Sequence, residues 1–428
     1  MNTSKKTFGL LGEKLRHSYS PLIHSILAGY EYHLIELPPE GIEGFLTGGD
    51  FSGLNVTIPY KSAVIPFCGE LSDTARNAGS VNTILRKNGI LYGDNTDYDG
   101  FSYLLKSSGI DVKTKKVCVL GSGGSSKTVY NVLNDSGTGE IAVISRSGEN
   151  NYNNLEKHAD AEIIVNTTPV GMYPKNGSLP ISLESFPACR GVIDLIYNPA
   201  KTALLLQAER LGIIYVNGLP MLTAQAKRSA ELFTGLEIDD GKVDEITRKI
   251  ARLMTNIVLI GMPGSGKSTL GQIIAEKTGR VLIDTDHLIT EREGTTPAEI
   301  IETNGEETFR SVESVVIEDV GRSSGCVIAT GGGVVTRKNN YDNMRQNGFI
   351  VFINRPPDFL ADDNRPLSGD INTRRKLYEK RLPLYRELCD IEIDAGGSLA
   401  DAADNLMSAL KLSGYDTIKP TEHNVTYK

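Results

Sequence analysis

Near the middle of this 428-residue chain, Gly261-Met262-Pro263-Gly264-Ser265-Gly266-Lys267-Ser268 spells G-x-x-x-x-G-K-[ST]. Glycines at these places let backbone N–H groups close around phosphate oxygens. The lysine can reach the terminal phosphates, and the serine hydroxyl can hold Mg²⁺. The motif follows an apolar run at 257–260 and opens a helical pattern near Lys267, the strand-to-helix setting this chemistry requires. Gly264, Gly266, Ser268 and Thr269 are therefore expected to cradle the phosphates of a nucleotide such as ATP, with Lys267 at the transferring group. The alternative is a glycine-rich turn without a ligand.

A phosphoryl donor needs an acceptor site. Asp284 and Asp286 end the next apolar run, Phe309-Arg310 and Glu313 share a helical stretch, and Gly331 to Gly333 follow a further apolar run. Each has an ordinary reading: a solvated strand end and helix cap, a surface i,i+3 pair, a turn. Gathered at successive strand ends beside a phosphate loop, they suit a pocket for a small, hydroxylated, anionic acceptor.

The first half carries different chemistry. Gly121-Ser122-Gly123-Gly124-Ser125-Ser126 follows the apolar run 117–120 and opens a helix, which suits a dinucleotide pyrophosphate at a helix N-terminus; a plain strand-to-helix turn is the alternative. At the end of the next strand, where NAD selection would place an acid, stands Arg146, which suits a 2′-phosphate and so NADP. Upstream lie Ser18-Tyr19-Ser20-Pro21, Asn55 to Lys61, Asn82-Thr83 and Asp94-Asn95-Thr96-Asp97. Ser20 before Pro21 also fits a helix N-cap, and Lys61 also fits a solvated helix lysine. Asn95, Asp97, Asp99 and Gly100 copy half of a calcium loop, but Lys106 stands where that loop needs glutamate.

The elements that must position these residues are α/β throughout. Apolar runs at 8–11, 32–37 and 54–58 alternate with helical stretches, and Asn88-Gly89 between two further runs signals a hairpin. From 117 onward short apolar strands at 117–120, 141–144, 163–165, 192–195 and 213–216 alternate with glycine turns and helices, as in a parallel sheet. A helix over about 219–234 and a second periodic stretch to Leu253 follow. The alternation then restarts with strands at 257–260, 281–283, 326–329 and 350–353. A chain this long exceeds one ordinary core, so at least two domains are expected. The tail 413–428 is polar and aperiodic.

Composition narrows the function classes. The chain is 39% hydrophobic and 23% charged, with net charge −8, and neither half has the basic excess of a nucleic-acid binder. No apolar run approaches the length of a membrane span, and the start lacks an adequate signal-peptide core. Cys68, Cys118, Cys189, Cys326 and Cys389 lie far apart without a C-x-x-C, so they read as reduced thiols of a cytoplasmic protein.

With these residues in view, the second half resembles shikimate kinase. The resemblance rests on the phosphate loop, Asp284-Thr285-Asp286, Phe309-Arg310 with Glu313, the triple glycine, Arg365-Pro366-Leu367 and Arg381-x-Pro-Leu-Tyr385. It implies that Asp286 contacts the ring hydroxyls and helps activate the attacking one. Arg310 and Arg381 would hold the carboxylate, Gly332 would contact substrate through its backbone, Arg365 would sit in a lid over the phosphates, and Asp284 would steady Mg²⁺ beside Ser268. Relatives often carry another arginine just before the lid, near the adenine, whereas this chain reads Ala361-Asp362-Asp363-Asn364.

The first half resembles shikimate dehydrogenase, through the segments above together with Asn166-Thr167-Thr168-Pro169, Asp194-x-x-Tyr197 and Asn217-Gly218-x-x-Met221-x-x-Gln225. The implied site has Ser18 and Ser20 on the substrate carboxylate, with Thr57, Asn82, Asp97, Tyr197 and Gln225 around the ring hydroxyls. Lys61 and Asp97 would form the catalytic pair. Gly121, Gly123, Gly124, Ser125, Arg146, Thr167, Gly218 and Met221 would hold NADP, the nicotinamide lying near Met221.

The two resemblances imply a bifunctional enzyme using NADPH, ATP and Mg²⁺ on small-molecule substrates. No nucleic acid or membrane partner is expected, and the chain would be a monomer or homodimer. The expected architecture is a split α/β substrate domain at 1–97 and 218–253 and a Rossmann-like NADP domain at 98–217. A P-loop kinase domain with a parallel sheet follows at 256–412. Two other readings stand beside this one: a half that binds without turnover, and a quinate/shikimate dehydrogenase using NAD.

Overall fold

The computed structural model describes residues 7–15, 18–361 and 370–414. The chain divides into two compact units, Met1–Tyr197 with Thr202–Ile250, and Asn198–Lys201 with Ala251–Lys428. Among the described residues no helix is long and apolar enough to cross a membrane. All five cysteines are free thiols.

The first unit holds two sheets. One contains β1 (Phe8–Gly12), β2 (Tyr32–Glu36), β3 (Gly53–Val56), β4 (Glu70–Leu71), β5 (Thr83–Lys87) and β6 (Ile90–Asp94), in the order β2-β1-β3-β5-β6-β4. Its β5–β6 hairpin closes through Asn88 and Gly89, with φ of 52° and 82°. Two positive φ values are what a two-residue turn needs to match the strand twist. Strand β3 stops at Val56, so Ile58, the end of the apolar run, stands in the following turn and is 78% exposed. Pro59 follows directly and has no N–H to give a ladder.

The second sheet contains β7 (Lys116–Leu120), β8 (Glu140–Ile144), β9 (Ile163–Asn166), β10 (Gly191–Asp194) and β11 (Ile214–Val216), all parallel in the order β11-β10-β9-β7-β8. Valine and isoleucine fill it because helices cover both faces of a parallel sheet. Its first strand lies inside the order, so connections leave β7 and β9 in opposite directions and open a crevice at the carboxyl end of β7. The glycine turn at Gly121 lies there.

The helix Leu219–Thr234 touches both parts of this unit. At its start Met221 and Gln225 approach Gly100 of the helix Asp97–Ser108, where a Cβ would come within 2.8 Å of the Met221 carbonyl oxygen. At its end Phe233 stacks on Phe8 with ring centres 4.9 Å apart.

The second unit holds β12 (Asn256–Ile260), β13 (Leu282–Asp284), β14 (Val327–Ala329), β15 (Gly348–Asn354) and β16 (Ile391–Asp394), all parallel in the order β13-β14-β12-β15-β16. One face packs on Val258, Ile317, Phe352 and Tyr385, the other on Leu259, Ile274, Val351 and Leu406. The switch point again falls at the first strand, β12, whose carboxyl end runs into the phosphate loop.

Candidate active sites

In the first unit, Lys61 lies in the turn after β3, not on a helix, and its carbonyl accepts from the Val81 N–H at 2.8 Å. Asp97 is the first residue of its helix and is 4% exposed. Lys61 Nζ donates to Asp97 Oδ2 at 2.6 Å. Asn82 Nδ2 donates to Asp97 Oδ1 at 2.9 Å and to Gln225 Oε1 at 3.1 Å. The Thr96 N–H donates to Asn82 Oδ1 at 2.8 Å, which settles which way the Asn82 amide faces. Below these groups Asn55, Thr83, Thr96 and Ser229 share hydrogen bonds, including Asn55 Nδ2 to Ser229 Oγ at 2.7 Å. Sequence reasoning misses this buried polar layer because Ser229 is 174 positions from Asn55.

Ser18 and Ser20 lie at the start of the helix Ser20–Ala28, and the Ser20 N–H donates to Ser18 Oγ at 3.2 Å. The N-cap position is Tyr19, so Ser20 is the first helical residue and caps nothing. Thr57 is anchored through its N–H to the Leu11 carbonyl at 3.0 Å. The calcium-loop pattern is occupied otherwise: Asp97, Asp99 and Gly100 are wound into a helix.

At the dinucleotide turn, Gly121 has φ +110°, and a Cβ there would lie 2.6 Å from Thr167 Oγ1, which itself donates to the Leu120 carbonyl. Gly123 caps the helix Gly124–Asp135, and a Cβ on it would meet nothing within 4 Å, so its bare backbone faces open space. That combination of a sharp turn and uncovered helix N–H groups, including the one from Ser125, fits a pyrophosphate. Arg146 is exposed and lies two residues past the end of β8. Gly218 is fixed by the Leu195 carbonyl, with whose oxygen a Cβ would collide, and Met221 is buried. Asp194, fully buried at the end of β10, accepts from Asn166 Nδ2 at 3.0 Å and Thr202 Oγ1 at 2.7 Å. Burial pushes its carboxyl up to about 6, against the pull of those bonds. Tyr197, three residues on, is half-buried.

In the second unit one cavity of about 350 Å³ is lined by Asp286, Phe309, Arg310, Glu313, Gly331 to Gly333 and Arg381. A second, of about 310 Å³, is lined by Gly264, Gly266, Lys267, Ser268, Thr269, Asp284 and Asp286, with Arg355 and Leu399 beyond. Asp286 lines both cavities.

Arg310 donates to Glu313 Oε2 at 2.8 Å and to Glu306 Oε1 at 3.0 Å; Glu306, an i−4 partner readable from charge spacing, adds to the expected set. The other Glu313 oxygen has no hydrogen-bond partner among the described residues. Burial raises the Glu313 carboxyl above its ordinary value in spite of Arg310. Arg381 Nη1 donates to the Gly332 carbonyl at 3.0 Å, and the Gly331 N–H donates to Thr285 Oγ1 at 3.1 Å. Gly333 leaves room for Arg310, since a Cβ there would collide with the guanidinium.

Lys267 Nζ donates to the Gly261 and Met262 carbonyls at 3.0 and 2.9 Å. Ser268 Oγ donates to Asp284 Oδ2 at 2.5 Å, while Asp284 Oδ1 accepts from the Asp286 N–H at 3.0 Å. A hydroxyl and a carboxylate side by side are oxygen donors, the set that suits Mg²⁺ carried with phosphates. Arg365 lies outside the described residues; Ala361, the last described before it, donates its N–H to the Gly264 carbonyl at 3.2 Å.

Comparison with known proteins agrees with both halves. Family profiles match residues 263–411 as shikimate kinase and residues 10–84 as the shikimate dehydrogenase substrate binding domain. The NADP(+) shikimate dehydrogenase of Caldanaerobacter subterraneus subsp. tengcongensis is 34% identical over 277 residues, 58% of this chain and 98% of that protein. Among solved structures, a chorismate mutase/shikimate 5-dehydrogenase fusion from Clostridium acetobutylicum has TM-score 0.55 at 36% identity, covering 58% of this chain and 97% of that one. Shikimate 5-dehydrogenase from Thermus thermophilus, in complex with NADP(H) and shikimate, has TM-score 0.53 at 33% identity, covering 57% and 99%. These matches take up the first part of the chain and the kinase profile takes up the last: the chain belongs to the shikimate dehydrogenase family and carries a shikimate kinase domain in the same polypeptide.

Proposed function

We propose that the chain catalyses two consecutive reactions: NADPH-dependent reduction of 3-dehydroshikimate to shikimate, then ATP-dependent phosphorylation of shikimate to shikimate 3-phosphate. The observation that carries this reading is the presence, in one chain, of a full dehydrogenase length and a kinase domain whose acceptor is the dehydrogenase's product.

For the reduction, bound NADPH supplies the hydride that converts the C3 ketone to an alkoxide. Lys61 Nζ gives that oxygen a proton. Asp97, 2.6 Å away, fixes the ammonium, and Asn82 fixes Asp97 in turn. Lys61, with 25% of its side chain exposed, regains its proton from solvent. Thr57, Tyr197 and Gln225 orient the ring, and Ser18 and Ser20 receive the carboxylate.

For the phosphoryl transfer, Asp286 accepts the proton of the C3 hydroxyl as that oxygen bonds to the γ-phosphorus and the bond to the β,γ-bridging oxygen breaks, releasing ADP. Arg310 and Arg381 hold the carboxylate, Gly332 meets the ring, and Lys267 leaves its two carbonyls for the phosphate oxygens. Ser268 and Asp284 would hold Mg²⁺, which offsets charge on the phosphates. Arg365 would add a guanidinium to the same charge. The hydroxyl made in the first reaction is thus the one phosphorylated in the second.

The sheets support assigning 1–97 with 218–253 to the substrate domain, 98–217 to the NADP domain and 256–412 to the kinase. We assign the protein to the cytoplasm, as monomer or homodimer. Each half is tested alone by supplying 3-dehydroshikimate with NADPH, or shikimate with Mg-ATP. A half that binds its substrates without turnover would overturn its share of the reading.

A further inference from the structure

We infer that Asn95 is a positioning residue of the reduction, setting Asp97 against the start of the dinucleotide helix through Ser80; the inference rests on the dehydrogenase reading of the first unit. Asn95 is the member of the calcium-loop pattern that precedes the helix Asp97–Ser108, and it is 1% exposed. Its side chain works in two directions. Asn95 Oδ1 accepts from the Asp97 N–H at 3.1 Å, and Asn95 Nδ2 donates to the Ser80 carbonyl at 2.9 Å. Ser80 begins a run of three residues that holds the proposed catalytic pair. In that run the Val81 N–H donates to the Lys61 carbonyl at 2.8 Å, and Asn82 Nδ2 donates to Asp97 Oδ1 at 2.9 Å. On its other side Ser80 abuts the helix Gly124–Asp135, since a Cβ on Gly124 would lie 3.5 Å from both Ser80 Cβ and Oγ.

The amide is what makes this arrangement specific. A side-chain oxygen accepting from the N–H two residues on is an Asx turn, and aspartate makes that turn as well as asparagine does. At the start of a helix aspartate would also gain from the dipole. Asparagine adds a donor that aspartate lacks, and that donor reaches Ser80. Asn95 is itself held through its own N–H, which donates to Asp94 Oδ1 at 2.7 Å. Asp97 is therefore tied through its side chain to Asn82 and through its backbone and Asn95 to Ser80, two ends of one three-residue run. That run rests on the first residue of the helix that would receive the pyrophosphate. Hydride transfer needs the nicotinamide at the ketone carbon while the Lys61 proton is at the ketone oxygen, and a misplacement of about 1 Å can cost about a hundredfold in rate. The bond from Asn95 to Ser80 keeps those two distances in step.

The test follows one turnover of the full-length protein: NADPH bound to excess protein is mixed with saturating 3-dehydroshikimate, and the loss of nicotinamide fluorescence reads hydride transfer. Asn95→Asp keeps the acceptor for the Asp97 N–H and loses the donor. Asn95→Ser keeps a hydroxyl acceptor without adding charge and is too short to reach Ser80. Both should slow the single-turnover rate about tenfold or more per folded molecule, as misplacement of reacting groups does. The KM values for NADPH and 3-dehydroshikimate should stay within about twofold, because Asn95 is buried and acts through Asp97. Urea unfolding of each variant gives the folded fraction, and either variant serves if the other fails to fold. A normal rate in either folded variant overturns the inference: with a lowered unfolding midpoint it leaves Asn95 only the helix start, and in Asn95→Ser alone it traces the loss in Asn95→Asp to charge. A slowed rate with comparable rises in both KM values would mark a general collapse of the site and overturns it too. Absence of turnover in the unaltered protein would instead overturn the dehydrogenase reading.

Discussion

Asp97 accepts from Lys61 Nζ through one carboxylate oxygen at 2.6 Å and from Asn82 Nδ2 through the other at 2.9 Å. The ammonium is thereby held by a carboxylate that cannot turn, because Asn82 is itself held by the Thr96 N–H. In the proposed reduction, a proton donor fixed by two successive contacts would be pre-organised for the developing alkoxide. In the second unit Asp286 lines both cavities at once, the position from which the proposed phosphoryl transfer uses it.

Separate machinery predicts separable loss. Lys61→Ala should lower kcat for reduction by about 10² to 10⁴, the usual range for a general acid, and leave phosphorylation unchanged. Lys267→Ala should abolish phosphorylation and leave reduction unchanged. Steady-state rates of both reactions on each folded variant check this; a variant that loses both would contradict it.

Gly333→Ala should act on shikimate alone. Its φ of −104° allows alanine, so the penalty comes from the collision with Arg310, which must leave Glu306 and Glu313. The KM for shikimate in the kinase reaction is expected to rise at least about tenfold, as for loss of one charge-assisted contact, with the KM for ATP unchanged. A rise in both constants would point to a general collapse of the site.

Arg146→Ala should reduce the preference for NADPH over NADH by about tenfold or more, through loss of a charge-assisted contact to the 2′-phosphate. Comparing kcat/KM for the two cofactors reads this directly. An unchanged ratio would remove Arg146 from the cofactor site.

Asp194 should leave a pH signature in stability. Burial raises its pKa from 3.8 to about 6, so the folded protein keeps a proton that the unfolded chain has released. Its contribution to stability is therefore lost as pH rises from about 4 to about 6 and stays lost above, by up to about 3 kcal/mol. Asp194→Asn cannot ionise, so the stability gap should move in the variant's favour over that interval. Urea unfolding of both proteins at pH 4, 5, 6 and 7 measures the gap; a constant gap contradicts the assignment.

Local signals are legible wherever one short segment fixes its own conformation. Asn88-Gly89 makes its hairpin and Gly261 to Ser268 makes its loop because φ and the missing Cβ decide both. Strand β3 ends two residues short of its apolar run, since apolar character continues through Ile58 although Pro59 ends the ladder. Ser20 is legible as a helix start but not as a non-cap, because Tyr19 and Ser18 together decide the first turn. Groups joined only by the fold stay hidden: Ser229 against Asn55, and Arg355 and Leu399 over Gly266, have no nearby sequence partner to announce them.

The most direct test supplies purified protein with 3-dehydroshikimate, NADPH and Mg-ATP, and follows NADPH loss and ADP formation separately. Both should proceed, with ADP formation absent until NADPH is added and restored by shikimate alone. ADP formation independent of the reduction, or only one of the two reactions, would contradict the account of consecutive reactions on one chain.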